Sequence, residues 1–186
     1  MSNIINNIDL DKIQKTIESG QKDKQFLKKP VKLEGEWNFD IQKEYQFRTE
    51  LAYENGKEII EIDSPSFLGG NGNRLGPMGY CVAGITSCFI TTFVSILSSH
   101  GIKLNRLKIK AECNINFAKT FDIADEPITE GINFEIDLDE EKRDENYKNS
   151  ITGDEKLQQL IIMAEERCPA IYSMNNIIKV SARLKK

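Results

Sequence analysis

Two thiols stand where this chain could do chemistry. Cys88 lies at the middle of a stretch, Leu75 to Ile102, that holds no Asp, Glu, Lys or Arg and is closed by Arg74 and Lys103. Elsewhere 25 basic and 29 acidic residues are spread through the 186-residue chain, so random mixing of charge does not give such a gap. Cys168 directly precedes Pro169 at the end of an amphipathic run. The thiolate is the reactive form of cysteine, and its fraction depends on burial and on nearby positive charge or helix N-termini. Around Cys88 the residues Gly84, Ser87, Thr91 and Thr92 are small or polar and leave room for a substrate at the sulfur. Pro169 suits the first position of a helix. That would place Cys168 at the N-cap, where unpaired N–H groups and the helix dipole stabilise a thiolate. Each cysteine reads equally well as a packed core residue. Two such thiols in one domain suggest a peroxide-reducing pair, in which one attacks and the other resolves.

The other two cysteines read as structural. Cys113 sits on the apolar face of an alternating run, and Cys81 lies seven residues before Cys88 on a similar helical face. Two helical turns separate Cys81 from Cys88 by about 10 Å along the axis. A disulfide needs Cα atoms within roughly 7 Å, so Cys81 is expected to pack. There is no C-x-x-C and only one histidine, which leaves no Cys/His zinc pattern. A net charge of -4 and a pI near 5.2 argue against nucleic acid as the main partner. Met1 to Ile8 offers neither a basic n-region nor a long apolar h-region, so no secretory signal is expected. The expected setting is the reducing cytoplasm, where paired cysteines are more often catalytic or redox-active than structural.

Several elements must position these thiols. Residues 9 to 19 read as a short helix with Asp9 as its cap, Leu10, Ile13 and Ile17 as its face and Gly20 as its stop. Residues 20 to 30 are polar and lysine-rich and read as a linker. Period-two alternation predicts half-buried strands over Val31–Phe39 and Tyr45–Tyr53, then a turn at Asn55-Gly56 and a third strand over Lys57–Asp63. A Gly- and Pro-rich loop, Ser64 to Pro77, leads into a long helix that Pro77 starts and His100-Gly101 ends. Strands follow over Leu107–Phe117 and Ile132–Leu138, then a charged loop over 139 to 150. Thr152-x-x-Glu155 is a capping box for a helix whose face is Leu157, Leu160, Ile161, Ala164 and Cys168. Ile178, Val180, Ala182 and Leu184 read as a closing strand. Hairpins and helices with no repeating βαβ unit indicate an α+β fold with a largely antiparallel sheet. The long uncharged helix is long enough to span a bilayer, but seven Ser/Thr residues between Met78 and Ser99 argue against a membrane span. The alternative is a helix buried on all sides, which is easiest when a second copy supplies half the cover and therefore points to a homodimer.

With these residues in place, the chain resembles the OsmC/Ohr family of osmotically inducible and organic hydroperoxide resistance proteins. Ser64-Pro65 followed by Leu68-Gly69-Gly70-Asn71-Gly72 is similar to the family's loop before its central helix. Pro77 stands eleven residues before Cys88-Phe89, and Cys168-Pro169 follows an amphipathic helix, as the second cysteine does in the family. The resemblance covers residues 31–186, the OsmC-like domain, and leaves 1–30 as a helical extension and linker. It implies an intertwined homodimer with mainly antiparallel sheets around a long buried central helix. It also implies a thiol peroxidase in which Cys88 and Cys168 are the catalytic residues. Cys88 becomes a sulfenic acid, a Cys88–Cys168 disulfide forms, and a dithiol such as dihydrolipoamide reduces it. No metal or organic cofactor is implied.

The chain departs from the family pattern at the acid that usually follows the proline and pairs with an arginine near the thiolate. That position is Met78, and the preceding Asn is Gly76. Arg48 falls near the expected arginine position, although its polar-face neighbours Gln46 and Glu50 also fit a solvated surface residue, and Arg74 is the second candidate. Met78 favours an alternative, a non-catalytic dimer that binds a hydrophobic small molecule. A persulfide-carrying Cys168 ranks last, for want of a clear basic partner.

Overall fold

The computed structural model describes residues 3–141, 154–176 and 178–184. Contacts within the chain define two compact units, Thr16–Ala83 and Met1–Lys15 with Gly84–Lys186.

The Thr16–Ala83 unit is built on a three-stranded antiparallel sheet, β3 (Glu34–Trp37), β4 (Phe47–Tyr53) and β5 (Gly56–Ile62), with β4 in the centre. Only the middle of the first expected strand pairs, and all four residues of β3 are exposed, so it is an edge strand and not a half-buried one. The hairpin places Tyr53 opposite Gly56 and Arg48 opposite Glu61. In the lysine-rich segment Asp23 caps a short 3-10 helix, Lys24–Leu27, by accepting from the Gln25 N–H. Gly20 does not end the first helix, because the chain stays helical to Lys22. Gly20 is there for space: a Cβ would lie 2.6 Å from the Leu27 side chain.

The other unit begins with a feature that sequence reading missed. Strands β1 (Ile4–Ile5) and β2 (Ile8–Asp9) form a tight antiparallel hairpin. Asn6 and Asn7 turn it with φ of 51° and 63°, the left-handed region that asparagine tolerates better than most residues. Helix α1 (Leu10–Lys22) follows, and the Asp9 carboxylate caps it through the Lys12 N–H. The Asn6 side chain then ties the hairpin to the end of the long helix. Its amide donates to Ser98 Oγ at 3.0 Å and to the Ile102 carbonyl at 2.8 Å, and its oxygen accepts from the Leu104 N–H at 2.8 Å. Asn6→Ala strips partners from two backbone groups around buried Ile102. A loss of about 2 kcal/mol or more is expected, read as a lower urea midpoint at unchanged slope. A loss under about 0.5 kcal/mol, within the range of ordinary surface substitutions, would show that the tie is incidental.

Helix α2 spans Pro77–Ser99. It ends at Gly101, whose φ of 68° lets the Gly101 and Ile102 N–H groups bond back to Ser98 and Leu97. Its second half supplies the buried Phe89, Phe93, Ile96, Leu97 and Ser98. These pack against the hairpin of β6 (Leu104–Glu112) and β7 (Asn133–Glu140) and against α3 (Asp154–Arg167). Phe89 stacks on Phe134 with ring centroids 4.8 Å apart. Along β6 and β7 the exposure alternates strictly over most of each strand, as the period-two pattern required. By length and composition alone α2 could cross a membrane, yet its apolar second half is spent on this core. Only 28% of its most apolar stretch is buried within the chain, so the expected burial on all sides is not met by one copy.

Helix α4 (Pro169–Asn175) completes the described elements. The expected strand over Ile178–Leu184 is not formed among the described residues. Those residues form no assigned helix or strand, with Val180 86% and Leu184 94% exposed. The charged loop expected over 139 to 150 begins later, because Asp139 and Glu140 still pair in β7 with Arg106 and Leu104, and its residues 142–150 lie outside the described residues, as does Thr152 of the expected capping box.

Candidate active site

The site grows from two helix ends and one helix middle. α2 carries Cys88 one residue before Phe89, whose burial fixes that face of the helix against the core. α3 brings Leu160, Ala164 and Cys168 to the same core, and Pro169 then starts α4 and leaves Cys168 as its N-cap. The two sulfurs lie 3.5 Å apart, with the Cys168 thiol donating to Cys88 Sγ. Both are free thiols. Cys168 is fully buried, at 0% exposure, while Cys88 is half-buried and reachable. A disulfide requires S–S of about 2.05 Å, so roughly 1.5 Å of side-chain movement would close the pair.

Burial is the main influence on Cys88 and pushes its thiol above the ordinary value. The Ala170 N–H, in the first turn of α4, pulls the other way, and the neighbouring Cys168 adds to the rise. The sequence placed Cys168 at this N-cap, as found. The Cys168 side chain makes no cap bond, and the amide of the next turn serves Cys88 instead. Ala170 was not legible because an alanine offers no side-chain signal for a backbone role. The Thr92 hydroxyl bonds the Cys88 carbonyl at 2.9 Å, so it braces the helix and not the sulfur.

Both remaining cysteines differ from expectation: β6 ends at Glu112, so Cys113 lies just outside the strand and is not fully buried, and Cys81 is exposed. Cys113 is half-buried, with Thr129 Oγ1 3.4 Å from its sulfur. Cys81 is exposed and does not pack within this chain. Among the described residues no cluster of His, Cys, Asp and Glu is arranged to hold a metal ion.

The candidate arginines belong to the Thr16–Ala83 unit, where they come together around one carboxylate. Arg48 Nε lies 4.0 Å from Glu61, its cross-strand neighbour, and Arg74 lies 3.6 Å from Glu61 and 2.9 Å from Glu44. Met78 stands exposed in the first turn of α2, which has no acid. Glu61 is therefore the acid that both arginines use, and sequence reading did not single it out.

A protein-family model described as "OsmC-like protein" matches residues 70–183. No curated protein matches. Among solved structures, an OsmC-like protein of unknown function from Vibrio cholerae aligns at 14% identity and a TM-score of 0.57, over 78% of this chain and 94% of that one. An organic hydroperoxide resistance protein from Legionella pneumophila, also described as a predicted redox protein, aligns at 15% identity and 0.52, over 79% and 91%. An OsmC-like protein from Mycoplasma pneumoniae aligns at 13% and 0.52, over 80% and 89%. At these identities the structures establish the shared mixed helix and antiparallel-sheet fold alone.

Proposed function

The chain belongs to the OsmC-like protein family, and on that premise we propose that it is a cytoplasmic thiol peroxidase acting on organic hydroperoxides. The observation that carries the reading is the 3.5 Å approach of a reachable Cys88 to a buried Cys168. The Cys88 thiolate attacks the terminal peroxide oxygen. An S–O bond forms as the O–O bond breaks, the alcohol leaves with a proton, and Cys88 becomes a sulfenic acid. Cys168 then attacks the Cys88 sulfur, the S–S bond forms and water leaves. A dithiol of the lipoyl type returns both cysteines to thiols and is itself oxidised to a disulfide. These steps call for no metal or organic cofactor. The test is steady-state loss of cumene hydroperoxide with dihydrolipoamide as reductant. Sustained turnover supports the reading, and consumption no faster than without protein rejects it.

The same reading takes the functional unit to be a homodimer. Met78, Cys81, Gly84, Ser87 and Thr91 form an exposed strip along α2 that one copy leaves uncovered, and Val180 and Leu184 of the tail are in solvent. Sedimentation equilibrium is expected to give twice the chain mass of 21.2 kDa; a single-chain mass would remove this part of the proposal. A ligand-binding dimer without catalysis is the second reading, favoured by Met78 and by the burial that pushes the Cys88 thiol up.

A further inference from the structure

The segment between α1 and β3 takes no part in the thiol chemistry. Every residue from Gln21 to Trp37 is exposed, although the Asp23 cap on the 3-10 helix Lys24–Leu27 orders its first part. Its charge is opposite to that of the whole chain. Residues 22–33 hold five lysines, Lys22, Lys24, Lys28, Lys29 and Lys32, against one acid, Asp23, while the chain carries -4 overall. None of the five is ion-paired among the described residues. Four apolar side chains stand among these charges in water. Phe26, Leu27 and Leu33 are about half exposed and Val31 is 98% exposed. The Lys29 ammonium lies 4.3 Å from the centroid of the Phe26 ring, so charge and apolar surface are presented together.

Clustered lysines without carboxylate partners attract an anionic partner, and exposed apolar side chains gain by leaving water. A dissolved polyanion such as nucleic acid meets the lysines and leaves the apolar side chains hydrated. The headgroup region of an anionic bilayer meets both. Lipid phosphates face the ammonium groups, the lysine stems lie along apolar surface, and the apolar side chains reach the acyl boundary. The spacing suits that environment, because each of the four apolar residues lies within two positions of a lysine. Each lysine close to an anionic surface strengthens binding about fivefold. Stable attachment takes a second signal beside an apolar one, and this segment carries both.

We propose that residues 22–33 are a docking surface for the anionic headgroups of a membrane, on which the protein lies without spanning it. The proposal is independent of the thiol reading, because no step of that chemistry uses these residues. The experiment sediments the reduced full-length protein with phosphatidylcholine vesicles containing about 30% phosphatidylglycerol, and in parallel with pure phosphatidylcholine vesicles. Saturable binding to the anionic vesicles and at least tenfold weaker binding to the neutral ones are expected at about 0.1 M salt. Replacing both Lys28→Glu and Lys29→Glu should weaken binding roughly twentyfold or more. Val31→Ser should cost about threefold or more. All three positions are exposed, so folding of the variants is not at issue. No binding to the anionic vesicles overturns the proposal, as does equal binding to both kinds. Undiminished binding by either variant also overturns it. Tighter binding to single-stranded DNA than to the vesicles would assign the surface to nucleic acid and overturn the lipid assignment.

Discussion

Cys88→Ser is expected to lower hydroperoxide turnover by roughly a thousandfold or more, as loss of an attacking nucleophile does. A serine hydroxyl is not ionised at neutral pH and does not attack an O–O bond. The substitution is nearly isosteric at a half-buried position, so the fold should be retained. Cys168→Ala is expected to behave differently. It removes the resolving sulfur 3.5 Å away and leaves the attack intact. This variant should release about one equivalent of alcohol per chain, accumulate a sulfenic acid that dimedone traps, and then stop. Equal loss in the first turnover of both variants would contradict the assigned order of attack and resolution. Full activity in Cys88→Ser would remove the peroxidase reading.

Oxidation of Cys88 should accelerate about tenfold for each pH unit between pH 6 and 8, roughly a hundredfold in all, because only the thiolate attacks. The sign follows from the site. Burial holds the thiol above its ordinary value, so the thiolate is the minor form across this range and grows with each unit of pH. The folded site also binds the proton more tightly than the unfolded chain. The stability tied to this group is thus present below the ordinary thiol value and lost as pH rises through the raised one. Stopped-flow oxidation of the Cys168→Ala variant measures the slope directly. A plateau already reached near pH 6 would show a positive charge at Cys88 strong enough to reverse the effect of burial. The second reading gains weight if the slope holds but the rate at pH 7 is no faster than that of a free thiol.

What the sequence made legible was what local chemistry decides. Pro77, the uncharged run and Gly101 bounded α2 to within a residue or two because N1 proline and left-handed C′ glycine are local requirements. Two plausibly reactive thiols in one domain already suggested a pair, but the Cys88–Cys168 disulfide was legible only through the family resemblance, since nothing in their spacing joins residues 80 positions apart. The arginine cluster was lost to a single residue of turn placement. Reading Asn55-Gly56 as the loop would set Arg48 opposite Asp63. The actual loop is Glu54-Asn55, so Arg48 faces Glu61 and Asp63 is left to brace the glycine-rich loop. The Asn6-Asn7 hairpin escaped notice because two-residue strands are too short to show a period. The tail over Ile178–Leu184 has the alternation of a strand, but alternation sets only which face is apolar. A strand also needs an edge to pair with, and among the described residues the tail is paired with none.

The most direct test counts free thiols and intact mass of the reduced protein before and after one equivalent of cumene hydroperoxide, followed by a peptide map. The account predicts rapid loss of two of the four thiols and a single crosslink joining the Cys88 and Cys168 peptides. Unchanged thiols, or slow oxidation spread over Cys81, Cys88, Cys113 and Cys168 alike, would contradict it.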